Sequence, residues 1–412
     1  MRYIRNSKLH KIFKMNKNII YVLSLIVLLF SCTEKKNKKE SLEKSRETAI
    51  VLPQTGEMYL LVGTYTSVKG SKGIYVYRFD TETGESEKVS IMEVANPSYL
   101  TLSPDEEFVY SVGENAEEEE GMAHAFSFDK KTGQLTLINS QSTQSAGPCY
   151  ITIDKKGKNV HTANYSGGSI SSFQVRNDGG LSELVSLIQF KGSGTDTVRQ
   201  KSSHVHCVQY SPDGRYLFAT DLGTDKIYRM EAMEAVFEGQ PSISESTLIA
   251  FVTPPGTGPR HFDFHPGEDY VYLLGELSGE VIVYDYNDGY LKMKQTIASD
   301  TVGARGSADI HVSPDGKFLY TSNRLEADGI AIFSINPNDG KLTRVGYQLT
   351  ARHPRNFVIT PNGKFLLVAS RDDNKIQVFA IDNQTGLLTD TNQDILLDKP
   401  VCLKFAAMAN RE

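Results

Sequence analysis

The chain of 412 residues contains no tryptophan and only four cysteines, and both shortages narrow what it can do. The lack of tryptophan argues against a quinone cofactor stacked on that side chain. Besides Cys32, the cysteines are Cys149, Cys207 and Cys402, an odd number without a CxxC spacing. Neither a disulfide framework nor a zinc site is therefore indicated. The last three lie near predicted strand starts, where small buried side chains are expected.

The sequence motifs of serine hydrolases and of nucleotide-binding loops are also absent. No G-x-S-x-G sequence and no phosphate-cradling glycine loop occur, and no Ser–His–Asp arrangement follows from spacing. A metal pair formed by His204 and His206 stays an open alternative, although no third ligand is indicated. His261 and His311 lie inside predicted strands and are expected to be hydrogen-bonded core residues. No metal and no organic cofactor are therefore predicted.

The sequence has no apolar run long enough for a confident transmembrane helix. The run IIYVLSLIVLLF at 19–30 follows a basic start and ends in LFSC with Cys32. This pattern predicts a lipoprotein signal peptide over 1–31, with lipid attached to Cys32. An ordinary signal peptide with an incidental cysteine is the alternative. Met15 begins a more typical signal peptide than Met1, so either methionine can be the true start.

The segment after Cys32 is polar and predicts a disordered tether over 32–57. Loss of residues 1–31 removes six basic side chains and no acids, so the net charge of −6 becomes −12. Such a surface disfavours nucleic acid and anionic lipid as partners. We expect a monomer in the cell envelope, periplasmic or at the outer membrane, that meets the membrane only through its N-terminal lipid.

One pattern recurs through the rest of the chain: two β-rich runs flank a four-residue turn. The turns read SPDE, DKKG, SPDG, HPGE, SPDG and TPNG, where proline presets φ and Asp, Asn or Gly permits a tight reversal. Their first residues are 51, 57, 54, 48 and 47 positions apart, a period typical of propellers and solenoids. These first residues are Ser103, Asp154, Ser211, His265, Ser313 and Thr360.

Each repeat continues through two further apolar runs, which predicts four antiparallel strands per blade. MYLLVGTY at 58–65 matches a second strand, and PVCLKFAA at 400–407 matches a first strand. The termini therefore complete one blade together and remove the open sheet edge. We predict an all-β, seven-bladed propeller over 58–407 with a tail at 408–412.

Three segments depart from the repeat. Residues 191–203 lengthen a loop, residues 229–247 replace a regular turn with a stretch that can hold a helical turn, and residues 117–120 read EEEE. A solvated loop tip is the simplest explanation of the acidic run, and a cation site is the alternative.

The repeats align without gaps from five residues before the turn position to eleven after it. First strands begin and second strands end on one face of the disc, so these two positions should converge at one mouth of the channel. The earlier positions hold Ser98, Cys149, His206, Arg260, Ala308 and Arg355. The later ones hold Glu114, Tyr165, Leu222, Glu276, Arg324 and Arg371, with Tyr65 equivalent in the closing blade.

Charged side chains at this mouth predict an anion-recognising pocket with acid–base groups. Arginine offers a bidentate fork for carboxylate or phosphate, and histidine can exchange a proton near neutral pH. The alternative is that blade-to-blade ion pairs merely hold the ring together.

The strands resemble the seven-bladed propeller lactonases, the cycloisomerase-type 6-phosphogluconolactonases, a family that also contains fungal carboxy-muconate lactonising enzymes. The resemblance covers roughly 58–407. Its most specific stretches are GTYT at 63–66, SSHVHCVQYSPDGRYLFATDLGTDKI at 202–227, GPRHFDFHP at 258–266, GEL at 275–277, DIHVSPDGKFLYTSNR at 309–324 and PRNFVITPNGKFLLVASRDDN at 354–374.

The resemblance implies a lactone-opening or lactone-closing reaction at the mouth. The family's proposed His, Arg, Glu and Arg fall on His206, Arg260, Glu276 and Arg324. The two arginines would hold an anionic group and offset charge on the carbonyl oxygen, and Glu276 or His206 would activate water.

The remaining ring positions would bind substrate. Arg355 and Arg371 would extend the anion site, and Tyr65, Glu114 and Tyr165 would line it. An envelope protein would rarely meet a phosphorylated sugar lactone, so an unphosphorylated aldonolactone is the expected small-molecule partner. Two alternatives stay open: a non-catalytic propeller that binds an envelope glycan or protein, and a muconate-type cycloisomerase.

Overall fold

Seven antiparallel sheets make up the part of the chain that the structure, a computed structural model, describes: residues 56–115, 120–234 and 237–409. The predicted signal peptide, Cys32 and the tether up to residue 55 lie outside the described residues. So do residues 117–119 of the acidic run and 410–412 of the tail.

The strands are numbered in chain order and given from the channel outwards. Blade 1 contains β29 (Pro400–Ala407), β1 (Glu57–Thr64), β2 (Gly73–Asp80) and β3 (Ser86–Glu93). Blade 2 contains β4 (Leu100–Leu102), β5 (Phe108–Gly113), β6 (Glu120–Asp129) and β7 (Gln134–Ala146). Blade 3 contains β8 (Pro148–Ile153), β9 (Asn159–Asn164), β10 (Ser169–Gln174) and β11 (Ser186–Gln189).

The other four blades follow the same order. Blade 4 contains β12 (Val205–Tyr210), β13 (Tyr216–Asp221), β14 (Lys226–Glu231) and β15 (Ile249–Val252). Blade 5 contains β16 (Pro259–Phe264), β17 (Tyr270–Gly275), β18 (Glu280–Asn287) and β19 (Tyr290–Ala298). Blade 6 contains β20 (Ser307–Val312), β21 (Phe318–Asn323), β22 (Gly329–Ile335) and β23 (Leu342–Leu349). Blade 7 contains β24 (Pro354–Ile359), β25 (Phe365–Ser370), β26 (Lys375–Ile381) and β27 (Leu388–Asp390), with β28 (Ile395–Leu396) also on β26.

The predicted closure is confirmed, because β29 pairs antiparallel with β1 from Met58 opposite Ala407 to Thr64 opposite Pro400. Each inner strand also contacts the inner strands of both neighbouring blades, so the ring around the channel is continuous. The predicted seven-bladed propeller with four-stranded blades is thereby confirmed.

The recurring turns adopt the conformation that their residues favour. In all six turns the fourth residue has a positive φ, 57° at Glu106 and 61° at Glu268 and 67° to 74° at the four glycines. The hydroxyl of Ser211 donates to Asp213 at 2.6 Å, and Ser313 donates to Asp315 at the same distance. The side chains of these turns therefore hold the first and second strands of a blade in register.

Buried tyrosine hydroxyls join neighbouring blades. From their second strands, Tyr110, Tyr272 and Tyr320 donate to the outer-hairpin carbonyls of Gly179, Gly340 and Gly386 in the next blade, at 3.0, 3.0 and 2.9 Å. Each bond satisfies a polar group inside the apolar interface between two blades. The rigid frame that carries the mouth depends on these repeated contacts.

The predictions about the cysteines and about a helical turn in the irregular stretch 229–247 are also confirmed. Cys149, Cys207 and Cys402 are buried free thiols, as predicted. A 3₁₀ turn occurs at Glu245–Thr247 within the irregular stretch, and a second one follows β25 at Arg371–Asp373. In the described ranges no helix has the length and apolar character needed to cross a membrane.

His161 gives a stability prediction. Its ring is fully buried between Ser172 Oγ at 2.8 Å and Tyr210 Oη at 2.7 Å, and burial lowers its pKa to about 3. The unfolded chain therefore takes up this proton near pH 6.5 while the folded protein does not. The associated stability is present above pH 6.5 and is lost as the pH falls towards 3.

We expect His161→Gln to remove this pH dependence. Between pH 6 and 4 the free energy of unfolding should fall less steeply in the variant, by about 1.4 kcal/mol per pH unit. Urea unfolding curves of both proteins across that range measure the difference. Equal slopes would contradict the prediction, even if the variant is less stable at every pH.

Candidate active site

The second strand of every blade delivers one side chain to the same mouth of the channel. The residue after each second strand donates its backbone N–H to a carbonyl just before or at the start of the first strand, at 2.8 to 3.2 Å. This bond recurs in all seven blades, so it sets the seven side chains at one level. They are Tyr65, Glu114, Tyr165, Leu222, Glu276, Arg324 and Arg371.

A repeated β-bulge turns the first-strand side chains towards the same mouth. In blade 5, Pro259 pairs with Gly275 and His261 with Leu274, which leaves Arg260 as the extra residue. The corresponding pairings leave His206 and Arg355 without ladder partners in blades 4 and 7. Such bulges redirect a side chain and are common beside active sites. The extra residue explains why this position points into the mouth.

Glu276 is the centre of a buried charge cluster. Its Oε2 lies 2.9 Å from Arg260 Nε and 3.4 Å from Arg324 Nη2, and its Oε1 accepts from Arg199 Nη2 at 2.8 Å. Burial alone would raise the pKa of Glu276, but Arg324, Arg260 and Arg199 outweigh it and lower the pKa to about 2. The carboxylate is therefore ionised throughout the physiological range.

The two buried arginines are also held by backbone carbonyls. Arg260 Nη1 donates to Ala308 O, and Arg324 Nε donates to Gly306 O at 2.8 Å. The Nε–H of Arg260 is close to Glu276 but does not point along a hydrogen bond. Burial, opposed by Glu276, lowers the pKa of Arg324 to about 9. Both guanidinium groups are thus fixed in place before any substrate enters.

His206 stands beside this cluster as a neutral ring. It is 5% exposed and packs edge-on against Tyr165 with 5.5 Å between ring centroids, and among the described residues its Nδ1 has no hydrogen-bond partner. Burial lowers its pKa well below the ordinary value, and Arg260 and other cations add to the effect. The ring is therefore uncharged at neutral pH, with a hydrogen on one nitrogen and the other nitrogen free to accept a proton.

The opposite side of the mouth carries the second group of predicted residues. Tyr65 Oη donates to both oxygens of Glu114 at 3.0 and 2.9 Å, and Ser98 Oγ also donates to that carboxylate. The guanidinium of Arg355 lies 5.4 Å from the centre of the Tyr65 ring. Although burial opposes the shift, Tyr65 and Glu114 raise the pKa of Arg355. This side thus offers an acceptor carboxylate and a further cation.

Arg371 is committed to other partners. Its Nε and Nη2 donate to the two oxygens of Asp372 at 2.6 and 3.2 Å, and its Nη2 is 3.3 Å from His353 Nδ1. His353 has a φ of 64°, a strained conformation for a residue with a side chain, and its Nε2 lies 3.3 Å from Arg324 Nη1. His353 therefore links Arg371 to the buried cluster.

Arg199 and His353 are the site residues that the sequence did not reveal. Arg199 comes from the long loop 191–203 and reaches both Glu276 and the hydroxyl of Tyr165, which it meets at 3.2 Å. His353 lies two residues before the aligned first-strand position. The only available signal was the unusual length of the loop, which does not indicate where its side chains go.

The charges at the mouth do not balance. The guanidinium groups of Arg199, Arg260, Arg324, Arg355 and Arg371 face the carboxylates of Glu114, Glu276 and Asp372. An excess of two positive charges remains, in a setting where water is largely excluded around Glu276. The mouth can therefore stabilise an anion that forms or binds there.

The described residues contain no group of three or more His, Cys, Asp or Glu side chains arranged to hold a metal ion. His204, the partner considered for a metal pair, stacks on the ring of Tyr165 with 4.5 Å between centroids. Its Nδ1 is 2.9 Å from the carbonyl oxygen of Tyr165.

Comparisons with known proteins agree with this architecture. The sequence model of the family "Lactonase, 7-bladed beta-propeller" matches residues 59–405. A 6-phosphogluconolactonase of Formosa agariphila is 39% identical over 344 residues, covering 82% of this chain and 97% of that protein. A Bacteroides fragilis crystal structure provisionally described as 6-phosphogluconolactonase has 52% identity and a TM-score of 0.82, covering 86% and 99%. The periplasmic gluconolactonase of Pseudomonas aeruginosa has 34% identity and a TM-score of 0.79, covering 86% and 100%.

Proposed function

Because the chain belongs to the seven-bladed β-propeller lactonase family, we propose that it hydrolyses a sugar lactone at the mouth of its channel. The observation that carries the proposal is the carboxylate of Glu276, held by three arginines beside the neutral ring of His206. The named relatives, a 6-phosphogluconolactonase and a gluconolactonase, support this reaction class. They do not favour a glycan-binding propeller or a muconate-type cycloisomerase.

The reaction adds water to the lactone carbonyl. His206 takes one proton from the attacking water, and the hydroxide equivalent bonds to the carbonyl carbon. The carbonyl oxygen becomes an oxyanion, which Arg260 and Arg324 stabilise from fixed positions. The tetrahedral intermediate then expels the ring oxygen, which receives the proton back from His206. The product is an open-chain hydroxy acid, and its new carboxyl group releases one proton to solvent. The resulting carboxylate remains near the arginines.

Glu276 is not the base in this scheme. Both of its oxygens are engaged by arginines, and its pKa of about 2 makes it a weak proton acceptor. Its role is to hold Arg260 and Arg324 in the orientation that receives the oxyanion, which makes it a positioning residue. Arg199 completes that arrangement from the loop.

The second group of residues would bind the sugar. Glu114 can accept hydrogen bonds from ring hydroxyls, and Tyr65 and Tyr165 would pack against the sugar ring. Arg355 would bind the carboxylate of the product. Arg371, which forms an ion pair with Asp372, would contribute positive charge at the edge of the mouth. We propose an unphosphorylated aldonolactone as the substrate, since the excess positive charge serves the oxyanion and the product carboxylate.

We propose that the protein works in the cell envelope as a monomer without metal or organic cofactor. The lipoprotein-type leader and Cys32 support this location, and the related Pseudomonas aeruginosa gluconolactonase is periplasmic. Changing Cys32 to serine should release the protein from the membrane fraction of cells without loss of activity. Retention of the variant in that fraction would refute the lipid anchor.

A pH-stat assay with a panel of lactones tests the function. We expect glucono-δ-lactone and other aldonolactones to be hydrolysed well above the spontaneous rate, with a phosphorylated lactone and a muconolactone as comparison substrates. Faster turnover of the phosphorylated lactone would correct the substrate. Failure across the panel in folded protein would remove the lactonase proposal.

A further inference from the structure

A buried carboxylate lies on the inner strand of blade 6, one residue further into the channel than the mouth positions. Oδ1 of Asp309 is 2.7 Å from Nδ1 of His261. The other oxygen is 3.1 Å from Nε2 of His311 and accepts from the Asn356 side chain and the Phe357 backbone N–H. Burial would raise the pKa of Asp309, but His311 and His261 outweigh it and lower the pKa well below the usual range.

This carboxylate determines the protonation of His261. An ionised carboxylate only accepts hydrogen bonds, so Nδ1 of His261 carries the hydrogen and Nε2 of the neutral ring is a bare acceptor. Nε2 is buried and has no hydrogen-bond partner in the part of the chain that the structure describes. A buried acceptor without a partner is costly, and each such atom in a protein calls for an explanation.

The ring next to His261 has the complementary property. The centroids of His206 and His261, on the adjoining strands β12 and β16, are 5.1 Å apart, with 67° between the ring planes. Within the described ranges, Nδ1 of His206 is likewise buried without a hydrogen-bond partner. A small rotation of either ring, or one bridging water, would pair a donor on Nδ1 of His206 with the acceptor Nε2 of His261.

We propose that His261 and Asp309 form a proton relay behind His206, a role that rests on the lactonase function proposed above. When Nε2 of His206 takes the proton of the attacking water, the proton on its Nδ1 passes to Nε2 of His261. His261 becomes an imidazolium, and Asp309 balances its charge. The transfers reverse when the ring oxygen leaves, so the proton returns to the product hydroxyl and no atom or charge is left over.

Electrostatics explain why the charge would move one ring deeper. His206 packs against Tyr165 and His261, and the guanidinium groups of Arg260, Arg324 and Arg355 oppose a positive charge on its ring. His261 faces Arg260 and His311 as well, but it has the carboxylate of Asp309 in direct contact, with the rings of Tyr99 and Tyr150 beside it. Burial lowers the pKa of His261 to about 4, although Asp309 opposes that shift.

Imidazole ¹⁵N NMR tests the pair without reference to activity. We expect His261 to show a protonated Nδ1 and a bare Nε2, and His206→Gln to shift the Nε2 resonance. An Nε2 resonance that ignores this change would overturn the relay, whether or not the protein hydrolyses any lactone. If the Nε2 resonance of His261 does respond to His206→Gln but the protein hydrolyses no lactone, the two histidines are paired and the proposed function is wrong. The catalytic role of the relay is then overturned together with that function.

Kinetics test the relay itself. His261→Gln keeps a donor for Asp309 but cannot carry the proton, so we expect kcat to fall about 10²-fold with little change in KM. The same change in a His206→Gln background should cost nothing more, because the relay acts through His206. His161→Gln is the control, since it also replaces a buried neutral histidine but lies in blade 3 between Ser172 and Tyr210, and it should leave kcat nearly unchanged. Independent, additive losses, or equal losses in His161→Gln, would show a structural role and overturn the proposal.

Discussion

Replacing Glu276 by glutamine is expected to lower kcat/KM for lactone hydrolysis by about 10³-fold. The amide keeps the shape of the side chain but removes the charge that orients Arg260 and Arg324. Three guanidinium groups then lose their common counter-ion in a largely buried site. Breaking a buried ion pair in this way costs about 3–5 kcal/mol, so the free energy of unfolding should fall as well.

The matched control for this experiment is Glu234→Gln. Glu234 also forms an ion pair, with Lys156 at 2.7 Å, but its side chain is 73% exposed. Exposed pairs contribute little, so both activity and stability should stay close to the wild type. A Glu276→Gln protein that is folded by circular dichroism and retains near-normal kcat/KM would contradict the assignment of the oxyanion site.

His206→Gln is expected to lower kcat by about 10²- to 10⁴-fold while KM changes little, because general-base catalysis is lost and binding groups remain. The pH dependence of kcat/KM in the wild-type protein should also report the pKa of this base. A base works when it is unprotonated, and the pKa of His206 lies well below its ordinary value. The acid limb of kcat/KM should therefore appear well below pH 6.5 and be absent near it.

His204→Gln provides the comparison, because its ring lies two residues away, stacks on Tyr165 and lies 2.9 Å from the backbone carbonyl of that residue. This variant should retain most of its activity and the wild-type profile. The rates of lactone hydrolysis of the wild type, His206→Gln and His204→Gln are measured in a stopped assay between pH 4 and 8. An acid limb near pH 6.5, or equal losses in the two variants, would show that another group is the base.

Much of the architecture was readable from the repeat. The turns from Ser103 to Thr360 and the half-blades at both termini predict seven blades, because each turn residue has a local conformational reason. The same alignment brought Arg260 and Glu276 to one mouth, where the structure places Nε and Oε2 2.9 Å apart. The match succeeds because equivalent positions in a rotational repeat share a level and a direction.

The β-bulge of the first strands could not be predicted from the sequence. Six blades carry the extra residue at the same point, so the copies align without a gap and comparison among them cannot reveal it. Arg199 and His353 lie outside the aligned window, in segments whose paths depend on their own contacts. Arg371 lies at the predicted position, but it forms an ion pair with its neighbour Asp372. An alignment of the repeats does not predict such a local ion pair.

The repeated bulge also bears on how this site can change. Ala308 and Val401 are extra residues in blades 6 and 1, formed by the same irregularity that presents Arg260, yet neither carries a polar group. Ala308 is fully buried and Val401 is 2% exposed, so a longer side chain at either place needs its neighbours to move before it can reach the mouth. New substrate preferences at these two ring positions would therefore require a polar substitution together with smaller side chains around it.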